Sequence, residues 1–141
     1  MNIKTMLVRD VMTPDVVTLG RNESLVVADD VMRLGRIRHL PVVDTDGTLV
    51  GIVSQRDLFH SGLLKALGYG THAKQQAMEL LVLKEAMKTE VATITPDAPL
   101  AEAAQTMLDR KIGCLVVVDN TKIVGILTES DFVKLVVQAT S

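Results

Sequence analysis

The chain contains the same sequence pattern twice, and this internal repeat restricts the fold more than any other feature. Shifting the sequence by 75 residues aligns positions 8–44 with positions 83–119, and the shift falls to 74 after a turn that has lost one residue. Roughly fifteen of about fifty aligned positions are identical, among them Met12 and Met87. We therefore expect two similar halves, each a small folding motif.

The stretch between the two halves is predicted to be a connector. The first motif is expected over 1–63, the connector over 64–82 and the second motif over 83–141. Gly68-Tyr69-Gly70 predicts a break, and residues 73–87 are predicted to form one helix that leads into the second motif. This helix is either a packed connector or a helix that binds a partner.

Each half shows the same order of predicted elements, strand-helix-strand-strand-helix. The first strand is short (16–19 and 91–95), and the helix after it has apolar residues at helical spacing. The next two strands are apolar and β-branched, which favours burial on both faces. They are expected at 40–43, 49–53, 115–118 and 123–127. Because a strand-helix-strand order joins parallel strands, the fold class is predicted to be α/β (α+β), with helices packed on mixed sheets.

Local signals predict where helices begin and where strands turn. Ser24 is the predicted N-cap of the first helix. In the second half Asp97 can cap the helix, and Pro99 suits its first turn. The tetrapeptide Asp44-Thr45-Asp46-Gly47 predicts a hairpin between two of the strands.

Composition excludes several classes of function. Aromatic residues make up 2% of the chain and the formal net charge is −2, which argues against base stacking and against a basic surface for nucleic acid. Three histidines and one cysteine show no metal-ligand spacing, and they form no arrangement typical of a catalytic triad. No apolar run approaches the ~20 residues that span a bilayer, so a cytoplasmic protein is expected. The 48% hydrophobic content of so short a chain favours an oligomer.

Two matching segments carry the clearest functional signal. Ser54 and Thr128 each follow a buried strand at the predicted start of a helix, and Asp57 and Asp131 come three residues later. A hydroxyl and a carboxylate at this spacing form a capping box, which satisfies free N–H groups of the helix. The same junction attracts phosphate, and a carboxylate there can accept both hydroxyls of a ribose. Both interpretations can hold at once.

Taken together, the repeated motifs resemble a known family. They are Met12-Thr13 before the first strand, His39-Leu40-Pro41-Val42-Val43-Asp44, and Gly51 with Ser54-x-x-Asp57, each with a counterpart in the second half. The chain resembles a tandem pair of CBS domains (named from cystathionine β-synthase), a Bateman module, over almost its whole length except the connector. The resemblance implies two β-α-β-β-α repeats about a pseudo-twofold axis, and two clefts that bind AMP, ADP, ATP or S-adenosylmethionine. It also implies a homodimer that signals to an unidentified effector protein, as in energy sensing.

Carried onto this chain, the family's binding pattern defines two nucleotide-binding clefts, each with adenine-facing residues from one repeat and a turn from the other. The first cleft combines Val16, Thr18, His39, Leu40 and Pro41 with Thr128, Ser130 and Asp131. The second combines Val91, Thr93, Cys114, Leu115 and Val116 with Ser54, Arg56 and Asp57. The implied roles are adenine packing by the strand residues, ribose binding by the aspartates, and phosphate binding by Ser54 or Thr128 with nearby basic groups.

The two predicted clefts differ in the residues that line them. Arg36, Arg38, His39 and Pro41 of the first half correspond to Lys111, Gly113, Cys114 and Val116 of the second. Arginine and histidine are better phosphate and ring partners than glycine and cysteine, so the cleft with His39 and Asp131 is predicted to bind a phosphorylated adenosine more tightly, with Arg56 compensating in part in the other. The alternatives are a solvated helix end at Arg36 and Arg38, a packed strand residue at His39, and a small buried hydrophobe at Cys114.

Two functions from different classes follow from these observations. The first is a non-enzymatic regulatory module that binds an adenosyl compound with micromolar affinity, needs no cofactor and passes a conformational change to a partner. The second is a structural module for dimerisation or interaction, in which one or both clefts bind nothing.

Overall fold

Each repeat forms one three-stranded sheet, in which the first strand runs parallel to the second and the second antiparallel to the third. The strands are β1 (Leu19–Gly20), β2 (His39–Val43) and β3 (Leu49–Ser54) in the first repeat, and β4 (Thr93–Ile94), β5 (Cys114–Asp119) and β6 (Lys122–Thr128) in the second. The predicted mixed sheets are therefore confirmed. The first strand of each sheet has two residues: β4 lies within the predicted 91–95, but β1 overlaps the predicted 16–19 only at Leu19.

Helices connect and cover the two sheets. They are α1 (Val8–Val11), α2 (Leu25–Gly35), α3 (Gln55–Ala66), α4 (Leu100–Arg110) and α5 (Glu129–Ala139), with 3-10 turns at Ile3–Thr5 and Leu83–Glu85. Helices α2 and α4 bury apolar residues at helical spacing, which are Leu25, Ala28 and Met32 in one and Leu100, Ala103 and Met107 in the other. Within the part of the chain that the structure describes, every helix is too short or too polar to cross a membrane.

The structure, a computed structural model, describes residues 2–66 and 79–140, and these belong to two compact units that cut across the repeats. The first-repeat unit is Val17–Val91, and the second-repeat unit is Met1–Val16 with Ala92–Ser141. The first-repeat unit thus contains the first sheet and the segment before the second repeat. The second-repeat unit contains the second sheet and the segment before the first repeat. These two segments, residues 8–13 and 83–88, are called the leading segments below.

The leading segments contribute to the core of the unit in which they lie. Val8 is fully buried together with Leu115 and Leu127 in the second-repeat unit. Leu83 is fully buried with Leu40 in the first-repeat unit. Both cores are aliphatic, as a chain with so few aromatic residues requires.

The predicted caps have different outcomes in the two repeats. Ser24 caps α2, since its Oγ accepts the backbone N–H of Val27 at 3.2 Å, which confirms the prediction. The prediction of Asp97 as the cap of α4 is wrong, because this helix begins at Leu100 with Pro99 as its N-cap. The backbone N–H of Leu100 donates to Met6 at 2.9 Å, and Asp97 forms an ion pair with Arg9. Met6, just before the first leading segment, and Arg9 within it therefore bind Leu100 and Asp97 at the start of α4.

The hairpin predicted at residues 44–47 is confirmed. The backbone N–H of Gly47 donates to the carbonyl of Asp44 at 2.9 Å, and Gly47 has a φ of +85°, a conformation that glycine adopts without strain. In the second repeat the corresponding turn is one residue shorter, and Asn120 takes the left-handed conformation with a φ of +57°. The lost residue in the sequence alignment therefore falls in this turn.

The helix predicted over 73–87 does not extend through its last seven residues. Val82 forms an antiparallel bridge with Ser24, and Leu83–Glu85 is a 3-10 turn. The backbone N–H of Leu83 donates to the carbonyl of Glu23 at 2.8 Å, and the Leu83 side chain packs in the core. Residues 81–87 therefore pair with the first repeat and do not continue the helix. The predicted break at Gly68-Tyr69-Gly70 lies outside the described residues, as does the choice between a packed connector and a partner-binding helix.

Candidate functional site

The first candidate site is the turn where β3 ends and α3 begins, residues 54–57, called the Asp57 turn below. Asp57 Oδ2 accepts the backbone N–H of Ser54 at 2.8 Å. Ser54 Oγ accepts the backbone N–H of Asp57 at 3.1 Å. These reciprocal bonds are a capping box, so the structural interpretation of this motif is confirmed.

The second candidate site is the equivalent turn between β6 and α5, residues 128–131, called the Asp131 turn below. Asp131 Oδ2 accepts the backbone N–H of Thr128 at 2.9 Å. The hydroxyls of Thr128 and Ser130 share a hydrogen bond of 2.9 Å. Asp131 thus caps the start of α5 as Asp57 caps the start of α3. In both turns the cap uses Oδ2 of the aspartate, and the second oxygen, Oδ1, has a different neighbour.

The leading segments supply the partner of that second oxygen. Thr13 Oγ1 donates to Asp131 Oδ1 at 2.8 Å, and Asp131 is only 5% exposed. Lys88 Nζ lies 3.8 Å from Asp57 Oδ1, and the Asp57 side chain is 16% exposed. Thr13 and Lys88 occupy equivalent positions of the repeat, so the two aspartates have the same kind of neighbour with a different charge.

Paired backbone bonds fix the leading segments against the sheets. Thr13 exchanges N–H and C=O bonds with Ile126 at 2.8 and 2.9 Å, and Lys88 does the same with Ile52 at 2.9 Å in both directions. The partners lie on β6 and β3, the strands that end in the two turns. This pairing is what brings Thr13 and Lys88 to the aspartates.

Two glycines make room for these segments. A Cβ at Gly125 would lie 2.5 Å from Sδ of Met12, and a Cβ at Gly51 would lie 2.5 Å from Sδ of Met87. No real side chain could approach so closely, so each methionine packs directly on the backbone of a strand. The methionine and the glycine that both repeats share therefore contact each other across the repeats: Met12 packs on Gly125, and Met87 packs on Gly51.

The strand residues of the predicted clefts lie beside the turns of their own unit. His39 pairs with Ser54 across β2 and β3, and Cys114 pairs with Thr128 across β5 and β6. The side chains of Leu40, Leu115 and Val116 are fully buried, and Pro41 is buried as well. Leu40 and Leu115 belong to the hydrophobic cores, so their side chains point away from solvent. Their role in adenine packing stays a prediction.

Cys114 behaves as a small apolar residue. It is 8% exposed, and burial raises the pKa of its thiol to about 12, with a further increase from the negative charge of Asp131. The thiol is therefore protonated at neutral pH and is a poor nucleophile and metal ligand. Among the described residues, no group of three or more histidine, cysteine, aspartate or glutamate side chains could hold a metal ion.

The basic candidates lie on the surface of the first-repeat unit. Arg36 and Arg38 are exposed, and so is Arg56 on the first turn of α3. Arg36 ends α2 in a left-handed conformation with a φ of +54°, and Lys111 ends α4 in the same way with a φ of +53°. The solvated helix end considered from the sequence agrees with this placement of Arg36. Phosphate binding by these residues stays a prediction.

The remaining candidates lie in or beside the short first strands. Thr18 and Val91 lie in the first-repeat unit, and Val16 and Thr93 lie in the second-repeat unit. Each cleft predicted from the sequence therefore draws its residues from both units, and that pairing stays a prediction. Sequence reasoning missed Lys88 altogether and treated Thr13 only as part of a motif. Thr13 and Lys88 directly follow the identical Met12 and Met87, and this equivalence could have pointed to both residues from the sequence.

Comparison with known proteins assigns both repeats. The CBS domain family matches residues 8–63 and 83–138. The chain spans about a quarter of the length of several homoserine O-acetyltransferases that it matches. The enzyme from Methanohalobium evestigatum, for example, is 32% identical over 130 residues, which cover 92% of this chain and 24% of that protein.

Solved structures with the same fold cover almost the whole length of the chain. An acetoin utilization protein (AcuB) from Vibrio cholerae is 40% identical, with a TM-score of 0.82 over 96% of this chain and 93% of that one. The CBS domain pair of protein MJ0100, solved with 5′-methylthioadenosine and S-adenosylmethionine, is 30% identical, with a TM-score of 0.76 over 95% and 98%. CBSX2 from Arabidopsis thaliana, solved with AMP, is 26% identical, with a TM-score of 0.76 over 96% and 98%.

Proposed function

The chain belongs to the CBS domain family as a tandem pair, and on that premise we propose that it is a non-enzymatic regulatory module that binds adenosyl compounds. The candidates are AMP, ADP, ATP and S-adenosylmethionine, bound in clefts that include the Asp57 and Asp131 turns. Binding changes the conformation of the pair, and an effector protein responds to that change. These ligands are intracellular metabolites, and we also propose a cytoplasmic location.

The observation that carries this proposal is the junction turn that occurs twice with the same geometry. At each turn a carboxylate is fixed by the backbone N–H of Ser54 or Thr128 at the positive end of a helix. An ionised carboxylate only accepts hydrogen bonds, so its remaining lone pairs suit the two hydroxyls of a ribose. The similar CBS pairs solved with adenosyl compounds support the choice of ligand class.

Asp131 and Asp57 offer these lone pairs at different cost. The Thr13 hydroxyl already occupies Asp131 Oδ1 at 2.8 Å, so a ribose must share or replace that bond. Lys88 lies 3.8 Å from Asp57 Oδ1, beyond hydrogen-bond distance, and leaves this oxygen more accessible. We therefore expect both turns to bind, with the larger rearrangement at Asp131.

Isothermal titration of the full chain with AMP, ADP, ATP and S-adenosylmethionine tests the proposal. We expect micromolar binding of at least one of them, at roughly −8 kcal/mol. Asp57→Asn and Asp131→Asn should each weaken or remove one site, whereas Asp119→Asn, an exposed aspartate at the end of β5, should leave both unchanged. Circular dichroism controls for loss of fold. If none of the four compounds gives heat with the wild-type chain, the proposed function is wrong.

A second function, dimerisation, is favoured by one face of α5. Val133, Val136 and Val137 follow helical spacing and are 64%, 60% and 62% exposed in the single chain. Phe59, at the position of α3 equivalent to Val133, is also exposed. The three valines form an exposed apolar face on α5 alone, which is typical of a protein interface, so we propose a homodimer that includes α5.

Sedimentation with and without AMP separates the dimer from the ligand site. Val133→Glu combined with Val137→Glu should convert a dimer to a monomer, because two charges would be buried in the interface. Leu108→Glu, which changes an exposed leucine on α4, is the matched control. A wild-type chain that sediments as a monomer at micromolar concentration, with or without AMP, contradicts the proposed dimer.

A further inference from the structure

The two turns carry opposite charge, although their backbones are alike. Beside the Asp57 turn stands Lys88, whose Nζ is 3.8 Å from Asp57 Oδ1 and whose side chain is 71% exposed. Arg56 follows on the first turn of α3 and is exposed as well. Arg38 lies next to the turn through the bond from the Gln55 N–H to its carbonyl, at 2.9 Å. Three cationic residues therefore lie on or next to this turn, and one of them, Lys88, contacts its carboxylate.

The equivalent positions of the Asp131 turn hold no cation. Thr13 occupies the position equivalent to Lys88, and Ser130 the position equivalent to Arg56. Gly113 occupies the position equivalent to Arg38. Glu129 replaces the neutral Gln55, and its Oε1 lies 2.6 Å from the place that a Cβ on Gly113 would take. This carboxylate thus fills the space in which a side chain at position 113 would begin.

Five equivalent positions therefore sum to a formal charge of +2 at one turn and −2 at the other. The first sum is three cations (Lys88, Arg56, Arg38) less one carboxylate (Asp57), and the second is two carboxylates (Glu129, Asp131). Both turns end at a helix N-terminus, so the helix dipole favours an anion equally at each and cancels in the comparison. Charges closer than ~8 Å interact at physiological salt, and Lys88 Nζ lies 3.8 Å from Asp57 Oδ1.

From this contrast we infer that the two turns select adenosyl ligands by charge, the Asp57 turn taking a phosphorylated adenosine and the Asp131 turn taking an uncharged or cationic one. The inference rests on the proposed function and adds the ligand class of each site. A phosphate beside Lys88 and Arg56 gains charge-assisted hydrogen bonds. A phosphate beside Glu129 meets a like charge, whereas a neutral 5′ group does not.

This assignment differs from the prediction made from the sequence. That prediction placed the tighter phosphate binding in the cleft with His39 and Asp131, because it assigned Arg36 and Arg38 to that cleft and gave Arg56 only a compensating role. The turns point to Asp57, since Lys88 reaches this carboxylate only through the fold. The two assignments make opposite predictions for the same variants.

Titration of the full chain with AMP and with adenosine tests the inference, because the two probes differ only in the phosphate. Arg56→Ser combined with Lys88→Thr gives the Asp57 turn two residues of the other repeat. We expect this variant to lose about tenfold or more in AMP affinity at the stronger site, while adenosine affinity stays within about twofold. Glu129→Gln should raise AMP affinity at the weaker site several-fold, and Glu102→Gln on the exposed face of α4 is its control.

Three outcomes overturn the inference. In the first, Arg56→Ser/Lys88→Thr weakens AMP and adenosine equally, which means that these residues hold the turn and do not select charge. In the second, Asp131→Asn removes the stronger AMP site and Asp57→Asn does not. In the third, Glu129→Gln leaves AMP binding unchanged. A wild-type chain that binds neither AMP, adenosine nor S-adenosylmethionine contradicts the proposed function itself, and the inference falls with it.

Discussion

The first-repeat and second-repeat units share their backbone and differ in their side chains around one carboxylate. Their sheets have the same strand order and the same irregularity in register, between Val42 and Val43 in one and between Val117 and Val118 in the other. The aspartate of each turn caps its helix through the same oxygen. The other oxygen faces a lysine in one unit and a threonine in the other. Packing thus holds the scaffold constant, and the position beside the aspartate varies.

The contact between methionine and glycine should be equally important in both units. Gly51→Val and Gly125→Val each place a side chain where Sδ of Met87 or Met12 lies, and backbone carbonyls 3.0 and 3.1 Å away restrict any shift. Overpacking of this kind costs about 1–3 kcal/mol and here should be near the upper end. Urea denaturation of the two variants should give similar losses in the free energy of unfolding.

Gly20→Val is the matched control for these two variants. Gly20 also lies in a strand, but a Cβ there would have no atom within 4 Å. Its stability should stay close to that of the wild type. A large loss at Gly125 with none at Gly51 would break the comparison, because it would mean that only one leading segment is held firmly.

Much of the fold could be predicted because local patterns are decisive within a repeat. Apolar residues at helical spacing gave α2, and Asp44-Thr45-Asp46-Gly47 gave the hairpin between β2 and β3. The exchange of leading segments was not predictable in this way. The two segments are similar in sequence, so each could pack on either sheet by local pattern alone. The choice depends on contacts across the fold, such as Val8 in the core of the second-repeat unit.

The candidate site was predicted only in the parts that are close in sequence. Ser54 and Asp57 are three residues apart, and a capping box follows from that spacing. Thr13 and Asp131 are separated by 118 positions, and only the pairing of Thr13 with Ile126 brings them together. For the same reason the sequence prediction assigned charge to the clefts without Lys88.

The partner of the aspartate should affect stability in one unit more than in the other. Thr13→Val removes the hydroxyl that Asp131 Oδ1 accepts, and this leaves an oxygen of a carboxylate that is 5% exposed without that partner. We expect a loss of about 1–2 kcal/mol in the free energy of unfolding. Lys88→Met removes only the ammonium group, whose Nζ lies 3.8 Å from Asp57 Oδ1 on a side chain that is 71% exposed, and this should cost less than about 1 kcal/mol.

Thermal and urea denaturation at neutral pH measure both variants. Thr13→Ser, which keeps the hydroxyl, should restore most of the stability that Thr13→Val loses. Equal losses for Thr13→Val and Lys88→Met would contradict the difference between the two aspartates, since that difference rests on the burial of Asp131.

The smallest expected difference between the units is the dependence on high pH that Cys114 adds to the second-repeat unit, since the first-repeat unit has His39 at the equivalent position. Burial, and next the charge of Asp131, raise the pKa of the Cys114 thiol from 9.0 to about 12. Above pH 9 the unfolded chain releases this proton while the folded chain keeps it, so the free energy of unfolding falls as the pH rises from 9 towards 12. Between pH 8 and pH 10 the thiol should account for a loss of about 1 kcal/mol.

Urea denaturation of Cys114→Ala should show a shallower decline in the free energy of unfolding than the wild type over this range. Alkylation of the native thiol at pH 8 should be much slower than alkylation in the unfolded chain, because only the thiolate reacts. Parallel pH profiles for the two proteins, together with rapid alkylation of the native chain, would mean that Cys114 is accessible and that the second sheet is less tightly closed than the first.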